Sequence, residues 1–307
     1  VTTQLIGLDW GSTHLRAYRF GERGLVEEVR TLSCGIRELP AGGFAEAFMQ
    51  AVREWPQVPV LACGMVGSRN GWLEVPYLDT PTRTDRLAAA LKPFTAPDGR
   101  TVHLVPGLRD PGRPDVMRGE ETQVAGVLAQ FPAASHRGQL LLPGTHSKWV
   151  TVRDGAITGF ATVMTGELYG LLSRHSILGA SLPPAVDDDA AFRRGAATAR
   201  DSGAAGVLSR VFSARTLMLD GTLAPASVAD YLSGLLIGDE LRVALAAGWI
   251  DAREPLLMVG DAALCSRYLK AAEAYGLQLT RAPDATTARG LWLIAVEAGL
   301  VTTRATA

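Results

Sequence analysis

The stretch "LIGLDWGSTHLRAY" (Leu5–Tyr18) runs as an apolar strand into a lone acid, Asp9, turns through Gly11, Ser12 and Thr13, and becomes strand-like again. Gly and Ser make the tight turn of any hairpin. The same turn also offers backbone N–H groups and hydroxyls that cradle phosphate, beside a carboxylate able to hold a metal. One occurrence does not separate these readings, but the chain repeats the device. In "QLLLPGTHSKWVTVRDGAITG" Gly144 falls on Gly11, Thr145 on Ser12, His146 on Thr13 and Ser147 on His14, an offset of about 133 residues. Each copy continues through a second strand and a short turn into a third, at "FGERGLV" and "RDGAITG". A matched sequel of this kind marks an internal repeat.

Around the two copies, apolar strands alternate with amphipathic helices, as in "GGFAEAFMQAVREW" and "VPVLACGMVGS", which is the pattern of an α/β chain. Two phosphate-facing hairpins, one per domain, predict a two-domain actin-like ATPase (ribonuclease H-like) fold with an interdomain cleft. "PGLRDPGRPD", Pro106 to Asp115, concentrates Pro and Gly as a hinge does. The domains expected are therefore 1–115 and 116–307, with the last helix packing back on the first. In the second half, "AVDDDAAFRRGAATAR" and "GAAGVLSRVFSARTLML" read as scaffold helices, and "SGLLIGDELRVALAAGW" as a helix with a face for a second copy. "PLLMVGDAALCSRYLKAAEAYG" is a buried strand that passes through Gly260 and Asp261 into a helix, a junction suited to adenosine or phosphate because Gly lets the backbone approach closely.

Composition narrows the function. With 47% hydrophobic and 20% charged residues the chain is an ordinary globular one, and a net charge of -1 gives no field for holding nucleic acid or an anionic membrane. Three cysteines, Cys34, Cys63 and Cys265, are too few and too scattered for a disulfide framework or a zinc cluster. With no uncharged apolar run long enough to span a bilayer, the expectation is a soluble cytoplasmic protein. Lysine occurs at Lys92, Lys148 and Lys270 alone, so Lys148, just past the second turn, stands out as a compact positive charge for a phosphate. The signatures G-x-x-x-x-G-K-[ST], G-x-S-x-G and H-E-x-x-H are absent.

The stretches "DWGSTHLRA", "CGMVGSRNGWLEVPY", "VMRGEETQ", "PGTHSKWV" and "MTGELYGLLSRHSIL", in order from Asp9 to Leu178, resemble those of the 2-dehydro-3-deoxygalactonokinases, as does the terminal "VGDAALCSRYLKA". The resemblance implies a kinase that uses ATP and Mg²⁺ to phosphorylate the terminal hydroxyl of a 2-keto-3-deoxy sugar acid. Phosphoryl transfer is mostly positioning and charge neutralisation, so the site needs a metal-holding acid, donors around the phosphates and an acceptor for the alcohol proton. Asp9 is the metal candidate. Gly11, Ser12, Thr13, Gly144, Thr145, His146, Ser147 and Lys148 are expected around the nucleotide, with Gly260 and Asp261.

The second hairpin has Leu142 where Asp9 stands in the first, so the proton acceptor must lie elsewhere. "MRGEETQ" supplies Glu120 and Glu121 after Gly119 at a helix start, where acids also favour the helix dipole whatever their function. One of the pair is expected to be catalytic. The substrate's carboxylate calls for an Arg fork, with Arg69 the first choice, Arg118 the reserve, and Ser68, Asn70 and Trp72 lining the pocket. Glu167, within the resembling stretch, is expected near the substrate. Two other readings use the same fold: a phosphohydrolase acting on polyphosphate or a guanosine phosphate, and a non-enzymatic actin-like nucleotide switch.

Overall fold

The computed structural model describes residues 2–301. It divides into two compact units. Unit 1 takes the chain up to Arg137, the segment Val152–Gly159 and the chain from Pro283; unit 2 takes Gly138–Thr151 and Phe160–Ala282.

Unit 1 opens with β1 (Leu5–Trp10), β2 (Leu15–Phe20) and β3 (Val26–Leu32), followed by α1 (Gly43–Val52) and β4 (Val60–Gly64). Short strands β5 (Leu78–Asp79) and β6 (Thr82–Arg83) lead to α2 (Thr84–Ala89), β7 (Lys92–Thr95) and β8 (Thr101–Leu104). The main sheet has the order β3-β2-β1-β4-β8-β7, with β1, β4 and β8 parallel. Because β1 and β4 are covered on both faces, they read as unbroken apolar runs: Leu5, Ile6, Leu8, Val60, Leu61 and Ala62 are all fully buried.

The Pro/Gly stretch is not a hinge. β9 (Leu108–Asp110) and β10 (Asp115–Met117) pair as an antiparallel hairpin, so Pro111–Pro114 is its turn, and β5 completes a three-stranded sheet. The division consequently falls at Arg137 and not at Asp115, after α3 (Glu120–Gln130) and α4 (Pro132–His136). α10 (Thr286–Glu297) belongs to unit 1 and crosses α3 at backbone contact. A Cβ on Gly126 would meet the Thr286 carbonyl oxygen at 1.9 Å, and one on Gly290 the Thr122 carbonyl oxygen at 1.9 Å.

Unit 2 contains β11 (Arg137–Leu142), β12 (Ser147–Arg153), β13 (Ala156–Val163), α5 (Thr165–His175), α6 (Asp189–Arg200), α7 (Ser213–Leu219), α8 (Val228–Ala246), β14 (Leu256–Met258), α9 (Ala262–Glu273) and β15 (Leu279–Arg281). The order β13-β12-β11-β14-β15 reproduces β3-β2-β1-β4-β8 strand for strand, with β11, β14 and β15 parallel. The tip of the β12–β13 hairpin counts with unit 1, where Ala156 and Ile157 pair with Arg83 and Thr82 of β6.

Two expectations fail here. The helix read over "GAAGVLSRVFSARTLML" is two 3₁₀ turns and the short α7, because Gly203 and Gly206 hold φ of 59° and 67°. The helix read as a face for a second copy is α8, buried nearly all round by α5, α6, α7 and α9. Its apolar residues are core, as is usual for a helix apolar on every side. No described helix is long and apolar enough to cross a membrane.

Candidate active site

The first turn is built from below. Gly11 N–H donates to the His14 carbonyl at 2.9 Å, and the segment after β3 grips the same residues: Gly35 N–H on Thr13 O, Ile36 N–H on Gly11 O and Arg37 N–H on Ser12 O, each 3.1 Å. A Cβ on Gly35 would lie 2.3 Å from the backbone of Ser12 and Thr13. Unit 2 repeats the support. Gly166 is, like Gly35, the third residue past its third strand, and its Cβ would lie 2.5 Å from the Gly144 carbonyl oxygen, while Glu167 N–H donates to Thr145 O at 3.0 Å. Sequence reasoning missed both glycines. The signal was their equal spacing from the two third strands.

Behind the first turn three acidic groups converge. Asp9 is opposite Arg16 on β2 and Cys63 on β4. Burial raises the Asp9 pKa, with Arg16 opposing. The Cys63 thiol is raised by its own burial and then by the charges of Asp9 and Glu121, which places both acids beside it. The start of α3 reaches this point because Gly119, at φ 107°, comes to the end of β4: its Cβ would be 3.2 Å from Gly64 Cα.

Glu121 is fully buried; it accepts the Gly119 N–H at 2.6 Å and the Thr122 hydroxyl at 3.0 Å. Burial and then the neighbouring Glu120 push its pKa up to about 8. Glu120 is half-buried, with one carboxylate oxygen accepting the Arg118 N–H at 2.9 Å. Of the pair, Glu120 is the one with solvent exposure.

The loop after β4 reorders the arginines. Arg69 and Asn70 are exposed. Trp72 turns into the core, its ring stacked on Phe44 and edge-on to Trp10 and Phe94. Arg118 is 8% exposed, lies over the Tyr77 ring at 4.4 Å and donates one N–H to the Val75 carbonyl at 2.7 Å. Its Nε and Nη1 have no acceptor, and neither does the buried Ser68 hydroxyl. Gly67, the residue before Ser68, has its Cβ position 3.0 Å from Nη1. Unsatisfied buried donors of this kind are costly and ask for a partner; a carboxylate is the partner that a guanidinium fork matches.

In unit 2 the second turn opens on a cavity of about 550 Å³. Gly144, Thr145, Thr165 and Gly166 form one end of it, and Tyr169, Leu236, Ile237 and Leu264 supply apolar walls. Asp261 lies on the rim, but its carboxylate is taken up capping α9 through the Ala263 and Leu264 amides at 2.9 and 3.0 Å. Gly260 sits against the turn, its Cβ position 3.4 Å from the Pro143 carbonyl oxygen. His146 Nε2 and Glu167 Oε2 pair at 2.5 Å across the turn, so Glu167 is found with the second hairpin.

Ser147 and Lys148 do not face the cavity end as expected. Ser147 is fully buried with its hydroxyl 3.0 Å from Tyr268 OH. Lys148, the next residue of β12, points to the opposite sheet face, as strand alternation requires, and donates to Thr162 Oγ1 at 2.7 Å.

Among the described residues no group of three or more His, Cys, Asp and Glu side chains forms a metal cage. Asp9 nonetheless fits a hard divalent cation. Burial disfavours its charge, which a cation restores, and Mg²⁺ commonly takes one or two carboxylates and completes its shell with water and phosphate.

A duplicated sheet, each copy carrying a buttressed turn, places this chain in the actin-like ATPase and sugar-kinase class. An activator of 2-hydroxyisocaproyl-CoA dehydratase from Clostridium difficile, solved with ADPNP, shares that fold at TM-score 0.52 and 16% identity over 96% of both chains. Residues 9–294 match the 2-keto-3-deoxy-galactonokinase family model, and the chain belongs to that family. It is 35% identical to the 2-dehydro-3-deoxygalactonokinase of Escherichia coli (strain K12) over 285 residues, 91% of this chain and 93% of that one. A crystal structure of a Sinorhizobium meliloti protein assigned the same activity superposes at TM-score 0.84 with 33% identity, covering 95% of this chain and 98% of that one.

Proposed function

We propose that this enzyme transfers the γ-phosphoryl group of ATP to the terminal 6-hydroxyl of 2-dehydro-3-deoxy-D-galactonate, giving 2-dehydro-3-deoxy-6-phospho-D-galactonate and ADP in galactonate catabolism. The observation that carries the reading is membership of the kinase family over residues 9–294. Unit 2 holds the nucleotide, its base against Leu236, Ile237 and Tyr169 and its phosphates toward Gly144 and Thr145. Unit 1 holds the sugar acid, whose carboxylate pairs with the Arg118 guanidinium and with Ser68.

In the reaction the substrate's hydroxyl oxygen bonds to the γ-phosphorus, the bond from that phosphorus to the β,γ-bridging oxygen breaks, and the hydroxyl proton passes to the Glu120 carboxylate. Glu121, holding a proton at neutral pH, stays uncharged beside Glu120 and leaves it as the acceptor. Asp9 would hold Mg²⁺, which would supply neutralisation of the charge on the ATP phosphates. In the first turn Ser12 and Thr13 offer N–H groups and hydroxyls suited to phosphate. ATP as co-substrate fits a cytoplasmic enzyme.

The test is ADP formation from ATP with the galacto acid, its gluco epimer, or water as acceptor. The expected result is turnover with the galacto acid and only background with water. ADP release independent of any sugar acid would instead mark a phosphohydrolase, and nucleotide binding with no turnover a switch.

A further inference from the structure

Glu240, in the middle of α8, is 2% exposed and is the meeting point of three other elements of unit 2. Its Oε1 accepts the Trp149 indole N–H of β12 at 2.8 Å. Its Oε2 accepts the Tyr268 hydroxyl of α9 at 2.5 Å and the Thr165 hydroxyl at the start of α5. Tyr268 is in turn bonded to Ser147, the first residue of β12.

Three of these residues, Ser147, Thr165 and Tyr268, line the cavity or adjoin a part of it. Ser147 follows directly on the turn of Gly144, Thr145 and His146; Thr165 precedes Gly166, the glycine packed under that turn; Thr165 and Tyr268 themselves line the cavity. We propose that Glu240 is a positioning residue for the nucleotide: one buried carboxylate sets the distance between the phosphate turn, the start of α5 and the α9 wall. The proposal rests on the reading of this cavity as the nucleotide site.

The chemistry argues for position over bulk stability. An acid buried among apolar helices is hard to keep ionised, and burial pushes the Glu240 pKa up to about 7. Hydrophobic residues of similar volume commonly hold such a place at least as well. A carboxylate that satisfies three donors from three elements does what they do not: it fixes three separate groups in one geometry. Gln has the same shape, but its amide offers N–H where an oxygen accepted. Glu240→Gln therefore turns at least one of the three donors away while keeping the core filled.

The experiment measures ADP affinity calorimetrically and KM for ATP and for the sugar acid, on wild type, Glu240→Gln, Tyr268→Phe and Leu236→Trp, with thermal melts for each. Glu240→Gln is expected to raise the ADP Kd and the ATP KM about tenfold, with the sugar-acid KM nearly unchanged. Tyr268→Phe removes a single donor and keeps the ring, so it shifts the same two quantities by a smaller factor; it decides the matter if the Gln variant does not fold. Unchanged nucleotide affinity in a folded Glu240→Gln or Tyr268→Phe, or an equal rise in both KM values, overturns the proposal. Leu236→Trp fills the cavity. If it binds ADP as wild type does, the assignment of the cavity has failed, whatever Glu240 does.

Discussion

The amide of Gly119 donates to the carboxylate of Glu121 at 2.6 Å, turning the acid back over the start of its own helix and away from solvent.

That relationship separates the two neighbouring acids. Glu120→Gln is expected to lower kcat by about 10²–10⁴-fold, the value of a placed general base, with ATP KM little changed, while Glu121→Gln stays within about tenfold. Steady-state kinetics on both variants checks this, and near-native kcat in Glu120→Gln returns the proton to another acceptor. Glu121 carries a second, independent readout. Its folded pKa of about 8 lies above the ordinary carboxyl value, so the folded state keeps a proton that the unfolded chain releases. The stability it contributes is complete at acid pH and is lost as pH rises through about 8. The neighbouring Glu120 carboxylate favours its protonated form, and the buried Cys63 thiol beside it has its own pKa pushed up. Wild type should therefore lose Tm between about pH 5 and pH 9 more steeply than Glu121→Gln. Parallel curves would mean that Glu121 is ionised in the fold.

Under the proposed function Arg118, ahead of Arg69, holds the sugar-acid carboxylate. Arg118→Ala should raise the sugar-acid KM by about ten- to hundredfold, the equivalent of roughly 1.5–3 kcal/mol for hydrogen bonds to a charged group, with ATP KM held. Arg69→Ala, at an exposed position, should do little. Because Arg118 also holds Val75 and stacks on Tyr77, Arg118→Lys, which keeps the charge and loses the fork, serves as the milder variant. A larger effect at Arg69 would remove Arg118 from the carboxylate.

At the second turn, a Cβ on Gly144 meets nothing within 4 Å, whereas one on Gly166 would strike the Gly144 carbonyl oxygen. Gly144→Ala is expected to leave the melting curve alone and weaken nucleotide binding, since the added methyl occupies space meant for phosphate. Gly166→Ala is expected to lower both. Undiminished ADP affinity in Gly144→Ala would show that phosphate does not approach this residue.

The duplicated hairpin was legible because turn chemistry is local: Gly11, Ser12, Gly144 and Thr145 announce it within a few residues, and strand order follows from the repeat. What supports the turns was not legible, because Gly35 and Gly166 act through contacts made only once the sheets form. Arg69 outranked Arg118 on loop position and family motif; burial of Arg118 over Tyr77 is tertiary. The Pro106–Asp115 stretch misled because a hairpin and a hinge use the same residues, and pairing of β9 with β10 is what distinguishes them.

The crossing of α3 and α10 has a consequence for how the protein is made. Chains emerge from the ribosome N-terminus first, and domains fold as units when their sequence is complete. Unit 2 ends at Ala282, whereas unit 1 needs α10, whose Trp292 packs on Phe20 at 5.8 Å between ring centroids. The half of the protein synthesised second is thus the first able to finish. The sheet that carries Asp9 has all its strands early but must wait for α10 to cover it.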